Sequence, residues 1–201
     1  MKTHKIDQRS DEWFEVRKGK MTASNAQCIS ANGKGLETYI YSLLAEKYCN
    51  NKEHYTNSDI ERGLELEYQA VMTYEIEKES VERVGFIEQD EFVGCSPDGL
   101  VGEEGGLEVK CVNDANFFKL MINGETAIET KHIWQCQMCL LITKRKWWDL
   151  VFYNPNFEKN MLIFRIIPDK KQHLKLIEGI VKGKKMISEI EKKYQSNKPK
   201  K

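Results

Sequence analysis

The sequence predicts an α/β domain in which a central mixed β-sheet is flanked by helices. Three observations carry this reading. Apolar residues recur at helical spacing near both ends of the chain, the middle from Val81 to Cys111 has a short, β-like period, and two more β-branched and aromatic runs follow an apolar helix. The resulting order is helices, strands, helix, strands, helix.

Taken in order, Ser10 with Asp11 and Glu12 marks a capped helix start that carries Trp13, Phe14 and Val16 and ends at Gly19. The hydroxyls of Met21-Thr22-Ala23-Ser24 offer the start of a second helix, and Leu36 to Tyr48 has the spacing of a third. The polar stretch between Cys49 and Asn57 reads as a loop. Ser58-x-x-Glu61 has the form of a capping box, ahead of a long helix from about Asp59 to Glu79 with Ile60, Leu64, Val71 and Tyr74 as its stripe. Val81 to Cys95 and Leu107 to Cys111 read as strands of one sheet. Thr130 caps a largely buried helix, apolar from Ile133 to Ile142 except at Gln135 and Gln137. Trp147 to Tyr153 and Met161 to Ile167 are two strands joined at Asn154-Pro155-Asn156, and a last helix runs from Lys170 to about Tyr194. Residues 1–194 thus form one domain, and the basic tail 195–201 reads as disordered.

A chain of 201 residues supports one proper core. No apolar run approaches the roughly 20 residues of a membrane span, and the first 17 residues lack the apolar segment of a signal peptide, so a soluble cytoplasmic protein without a membrane partner is expected. Of the six cysteines only Cys136 and Cys139 form a CxxC, half of a zinc site, and all are more simply read as buried thiols. The 31 basic and 31 acidic residues cancel, which gives no overall attraction to nucleic acid. The charge is nevertheless segregated. Glu61 to Glu82 is acid-rich, whereas Lys144-Arg145-Lys146 and Lys182 to Lys201 are base-rich, and the first basic run is a candidate contact to a DNA backbone.

The chemistry concentrates in a strand. In Leu107-Glu108-Val109-Lys110-Cys111 a period of two puts the apolar side chains on one face and Glu108 and Lys110 on the other. Pro97-Asp98-Gly99 ends the preceding strand, and a return through Gly102 to Gly106 can set Asp98 beside Glu108. Two carboxylates so close repel unless a cation or proton lies between them, and a divalent ion with hard oxygen ligands is the usual solution. The neighbouring lysine can then orient, or help deprotonate, a water that attacks a phosphodiester. Alone, an Asp at a turn followed by Glu and Lys on a strand is as easily a solvated sheet face. Two oddities add to it. Glu67 interrupts the apolar stripe of the long helix, where an unpaired carboxylate is costly and whose bland alternative is a side chain reaching to water. Gln135 sits in a nearly all-apolar helix, where its amide needs partners.

The order Pro-Asp, then Glu-x-Lys, resembles the PD-(D/E)-x-K nuclease superfamily and so implies the restriction-endonuclease-like core. GCSPDGL at 94–100, GLEVKC at 106–111 and QCQ at 135–137 sharpen the resemblance to the family of phage lambda exonuclease and the YqaJ-type viral recombinases. Trp13-x-x-x-Arg17-x-Gly19, Thr22-Ala23-Ser24 and Gly63-x-x-x-Glu67 are similar to the family's opening motif and helix glutamate. The resemblance implies a catalytic set of Asp98, Glu108, Lys110, Glu67 and Gln135, with Asp98, Glu108, Val109 and Glu67 around Mg²⁺, for which Mn²⁺ substitutes. It further implies that Arg17 and Ser24, with Ser96 and Trp13, bind the 5′-phosphate of the strand being degraded. An arginine and a hydroxyl near a helix start are fit for that task. The activity implied is a 5′-to-3′ exonuclease on double-stranded DNA ends that makes 3′ overhangs for phage-type recombination. A trimeric ring, a single-strand annealing protein as partner and a phage or prophage source are implied in the same way. The alternatives are an endonuclease of the same fold, an iron–sulfur exonuclease of the CRISPR-associated type, which needs four suitably placed cysteines, and a non-enzymatic binder of DNA ends.

Overall fold

The computed structural model describes residues 1–49 and 58–197, with the backbone alone for 58–62. The expected loop from Cys49 to Asn57 therefore lies almost wholly outside the described residues, as do the side chains of the expected capping box and Ile60.

The chain opens with strand β1 (Lys2–His4) and helix α1 (Asp11–Arg17), whose cap is the expected one: the Trp13 N–H donates to Ser10 Oγ at 3.2 Å. Gly19 follows at φ 74°. Where hydroxyls suggested a helix start, Met21–Thr22 instead forms strand β2, followed by a single 3₁₀ turn (Ala23–Asn25) and α2 (Ala26–Ala31). The Thr22 and Ser24 hydroxyls bond each other at 3.1 Å and cap nothing. Helices α3 (Lys34–Tyr48) and α4 (Ser58–Glu77) come next, close to their expected limits.

The strands divide into two sheets, a departure from the single sheet expected. β4 (Phe86–Asp90) and β5 (Val93–Cys95) join β1 and β2 in the order β1-β4-β5-β2. β3 (Val81–Glu82), β6 (Gly99–Val101), β7 (Gly105–Cys111), β8 (Trp147–Tyr153) and β9 (Met161–Ile166) form the second, in the order β3-β6-β7-β8-β9. The division falls where the ladder fails. Between β5 and β6 stands Pro97, which has no N–H to donate. The larger sheet is mixed, since β7 runs parallel to β8 but antiparallel to β6, and β9 is antiparallel to β8.

The parallel step from β7 to β8 requires a crossover, supplied by α5 (Asp114–Asn123) and α6 (Thr130–Thr143). α5 was not expected, although Asn113 caps it by accepting from the Asn116 N–H at 2.9 Å. α6 starts as expected, but Thr130 is its first residue and the cap position is Glu129, which makes no capping bond. The final helix, α7 (Lys170–Ser196), is capped by Asp169 and takes up Gln195 and Ser196, residues expected to be disordered. The Ser196 hydroxyl bonding Lys193 O and the Asn197 N–H doing the same extend that last turn. The rest of the tail, 198–201, lies outside the described residues. No described helix is long and apolar enough to cross a membrane.

Alternation along β7 distributes its side chains as expected. Leu107 and Val109 pack with Ala70, Val71 and Tyr74 of α4 and with Val151 and Tyr153 of β8. Leu64, assigned to the same stripe, is 38% exposed, so the buried seam of α4 turns inward only from about Leu66. The main core lies among α2, α3, α6, α7 and the sheets, and includes Ile29, Ile40, Met138, Leu140 and Trp148. All six cysteines are free thiols, and Cys95, Cys136 and Cys139 are buried within this core.

Close packing fixes β7 against β8. Gly106 pairs directly with Trp148, and a Cβ on Gly106 would stand 2.3 Å from the fully buried indole. Gly106→Ala is therefore expected to cost about 1–3 kcal/mol through overpacking, seen as a lower midpoint in urea denaturation; an unchanged midpoint would show that the indole yields freely.

Candidate active site

The β6–β7 hairpin brings the two expected carboxylates together. Gly99 pairs with Leu107, so one step along the same register sets Asp98 against Glu108. The Asp98 N–H donates to Leu107 O at 3.2 Å, and Asp98 Oδ2 accepts from the Val109 N–H at 2.6 Å. Val109 thus contributes through its main chain, which fixes Asp98.

Glu108 is 2% exposed. Its Oε1 accepts from Lys110 Nζ and from Gln135 Nε2, each at 2.6 Å, while its Oε2 is buried without a partner. Gln135 reaches it from α6, which explains the amide in that apolar helix: the residue is one half of a buried polar contact. Glu67 enters from α4, a turn ahead of Ala70 and Val71, with Arg83 3.9 Å away.

Electrostatics follow from this crowding. Burial, then the charge of Asp98, raises Glu108 to about 8 and Glu67 to about 7. Burial also raises Asp98, with Lys110 and the Val109 N–H opposing it. For Lys110 burial acts downward, but Glu108 and Asp98 outweigh it and hold the ammonium above its ordinary range. Lys110 is thereby placed as a cation and hydrogen-bond donor beside Glu108.

The donor set suits a hard divalent cation. Glu108 feels the charges of both Asp98 and Glu67, and one of its own buried oxygens lacks a partner. These carboxylates do not yet form a closed cage: among the described residues no group of three His, Cys, Asp or Glu side chains is gathered tightly enough to hold an ion. The ammonium of Lys110 meanwhile donates to Glu108 at 2.6 Å and favours its charged form.

A second constellation gathers most of the residues assigned to phosphate. The Trp13 indole N–H donates to Ser96 Oγ at 3.0 Å and to Gly85 O at 2.9 Å, Arg17 donates to Ser96 Oγ at 2.8 Å, and the guanidinium lies 3.9 Å above the Trp13 ring. Burial lowers the Arg17 pKa. Ser24 stands apart from this contact. It is exposed and bonds Thr22, although β2 runs parallel to β5 with Thr22 opposite Gly94, so that Ser24 and Ser96 leave the same end of the sheet.

The model of the YqaJ-like viral recombinase domain matches residues 12–146. This chain belongs to the YqaJ-like viral recombinase family. A comparison with curated proteins finds no match. Among solved structures, this YqaJ-like chain is similar to the alkaline exonuclease LHK-Exo from Laribacter hongkongensis. The identity is 28% over 93% of this chain and 99% of that one, with TM-scores of 0.78 and, for LHK-Exo in complex with dAMP, 0.80. A phage-related exonuclease from Haemophilus somnus, 12% identical over 90% of this chain and 99% of that one at a TM-score of 0.67, shares the fold. The YqaJ-like chain thus has the restriction-endonuclease-like architecture.

Two arginines beside the carboxylates escaped the sequence reading. Arg83 faces Glu67, and Arg9, in the left-handed region at φ 68°, lowers the pKa values of both Glu67 and Asp98. No local pattern marks either. Two members of the basic run also make contacts within the fold. Arg145 donates to the Gly102 and Gly105 carbonyls at 2.8 and 2.6 Å, clamping the β6–β7 turn, and Lys146 pairs with Glu104.

Ser96→Ala removes the acceptor from Arg17 NH1 while the indole keeps Gly85 O. A loss of about 1–2 kcal/mol in urea denaturation is expected, since a half-buried charged donor loses its partner. A neutral result would mean that Arg17 turns to water at no cost.

Proposed function

We propose that this protein is a metal-dependent exonuclease that enters at double-stranded DNA ends, degrades the 5′-terminated strand to 5′-mononucleotides and leaves a 3′ single strand for phage-type recombination. The observation that carries the reading is Glu108, set opposite Asp98 with Lys110 and Gln135 on its Oε1 and its Oε2 buried without a partner. The exonuclease names of the similar structures, and the dAMP bound to one of them, support it.

Asp98, Glu108 and Glu67, with the main chain of Val109, would hold Mg²⁺, or Mn²⁺ in its place. The ion supplies Lewis-acid charge at the scissile phosphate and makes water more acidic. The other steps belong to the chain. Gln135 holds Glu108 in place, and Lys110, fixed as a cation, donates toward the attacking water and the phosphate oxygens and stabilises the charge that develops there. The water oxygen bonds to phosphorus as the bond from phosphorus to the 3′ oxygen breaks, and the proton the water loses is balanced, through solvent, by the one the 3′ oxygen takes up. Arg17, supported by Ser96 and Trp13 and joined by Ser24, receives the 5′-phosphate. On the same reading the protein forms a trimeric ring around DNA in the host cytoplasm and passes the 3′ strand to a single-strand annealing protein.

Asp98→Ala, Glu108→Ala and Lys110→Ala are each expected to abolish cleavage of linear duplex in Mg²⁺ while circular dichroism keeps the folded signature. Near-normal turnover in any of them removes that residue from the mechanism. Glu67→Gln should slow cleavage strongly, because the amide keeps the shape and loses the charge; a wild-type rate would return Glu67 to a helix-edge role.

The assay that separates exonuclease from endonuclease compares linear duplex bearing 5′-phosphate or 5′-hydroxyl ends with a covalently closed circle. A charge-assisted contact at the terminal phosphate contributes about 1.5–3 kcal/mol, so phosphorylated ends should be cut about ten- to a hundredfold faster, and Arg17→Ala should erase the difference. Ready nicking of the circle with indifference to the 5′ end would make the protein an endonuclease.

A further inference from the structure

Between the starts of α6 and α7 lies a cleft of about 320 Å³ that has no part in the proposed reaction. Ile128, Ile133 and Trp134 give it apolar lining, and α7 contributes Lys171, Gln172 and Lys175. None of the nuclease residues lines it. Trp134 precedes Gln135, but one step along a helix turns a side chain by about 100°, so Gln135 meets Glu108 while Trp134 lines the cleft with α7.

The charge on the α7 side is unanswered. Lys171 and Lys175 are exposed, stand one turn apart on one face of the helix, and make no ion pair among the described residues. Asp169, the acidic residue just before them, is taken up as the cap of α7 and accepts from the Lys171 and Gln172 N–H groups. The α6 side adds to the positive field. Thr130 opens that helix, and Glu129 at the cap position makes no capping bond but pairs with Lys131 at 2.7 Å. Gln172, between the two lysines, keeps one acceptor in reserve: its Oε1 is buried without a partner.

A site for an anion, an apolar group and an N–H donor within one small volume matches the last residue of a polypeptide, which carries carboxylate, side chain and amide nitrogen on a single carbon. Nucleic acid suits it less well. Trp134 is partly buried against the core, and Leu174, the exposed neighbour one turn from Lys171, is aliphatic and offers no ring for stacking.

We propose that this cleft docks the C-terminal end of a partner protein, its apolar last residue seated against Ile128, Ile133 and Trp134. The terminal carboxylate, and acidic residues just before it, pair with Lys171 and Lys175. The proposal does not depend on the nuclease reading, and it gives the chain a way to recruit a partner at a distance from the carboxylate cluster.

The test follows the fluorescence anisotropy of a labelled peptide ending in aspartates and a free C-terminal phenylalanine, titrated with the full chain. Saturable binding is expected. It should weaken about tenfold when the terminal carboxylate is amidated or the phenylalanine is replaced by glycine, because a charge-assisted contact or an apolar anchor is lost. Lys171→Glu combined with Lys175→Glu, both at exposed positions and checked for folding by circular dichroism, should weaken it at least as much, whereas Asp98→Ala should bind like wild type. No binding of the peptide, equal binding of acid and amide, or wild-type affinity in the lysine variant would overturn the proposal. So would a single-stranded oligonucleotide that displaces the peptide and itself loses affinity in the lysine variant, which would assign the cleft to DNA.

Discussion

Three carboxylates, Glu67, Asp98 and Glu108, come from separate parts of the chain to within reach of one another's charge, and the surrounding structure serves to hold them there. Burial, and after it the charge of Asp98, disfavours their ionised forms and raises the pKa values of Glu108 and Glu67. What makes the arrangement tolerable is local. Lys110 and Gln135 converge on one oxygen of Glu108, and the Val109 N–H holds Asp98. The hairpin register, Gly106, which admits Trp148, and the clamp of Arg145 on the β6–β7 turn all keep that geometry in place. A site of this kind is prepared for a cation, because the unfavourable charge is relieved when one arrives.

The parts of this arrangement that were legible from sequence are those with a short-range signature. Strict alternation in Leu107 to Cys111 announced β7 and placed Glu108 with Lys110; a glycine-rich return announced the hairpin; a polar residue at an apolar position singled out Glu67 and Gln135. The structure was hidden where the signal is long-range or too brief to have a period. β1 and β2 are three and two residues long and exist through pairing with β4 and β5. Likewise, nothing local says that β4 and β5 leave the main sheet. α5 is a different case, since Asn113, whose side chain accepts from the Asn116 N–H, is a local N-cap signal.

The basic residues show why charge patterns are weak guides. Lys144-Arg145-Lys146 is the most basic short run in the middle of the chain, yet Arg145 and Lys146 are engaged by the β6–β7 turn. The arginines beside Ser96 and beside the carboxylates, in contrast, are isolated in sequence. Arg17 is backed by Trp13 and Ser96, and Arg83 and Arg9 flank the carboxylates. A zero net charge is compatible with this, because each cation is placed against a particular group instead of contributing to a general field.

The central claim is that the carboxylate cluster is completed by a divalent cation, and the melting temperature in chelator and in rising Mg²⁺ tests it most directly. A ligand that binds only the folded state stabilises it in proportion to the logarithm of its concentration above the dissociation constant. Wild type should melt progressively higher as Mg²⁺ is added, and Glu108→Gln, which keeps the shape but not the charge, should not respond. An equal rise in both proteins, or none in wild type, would contradict the account.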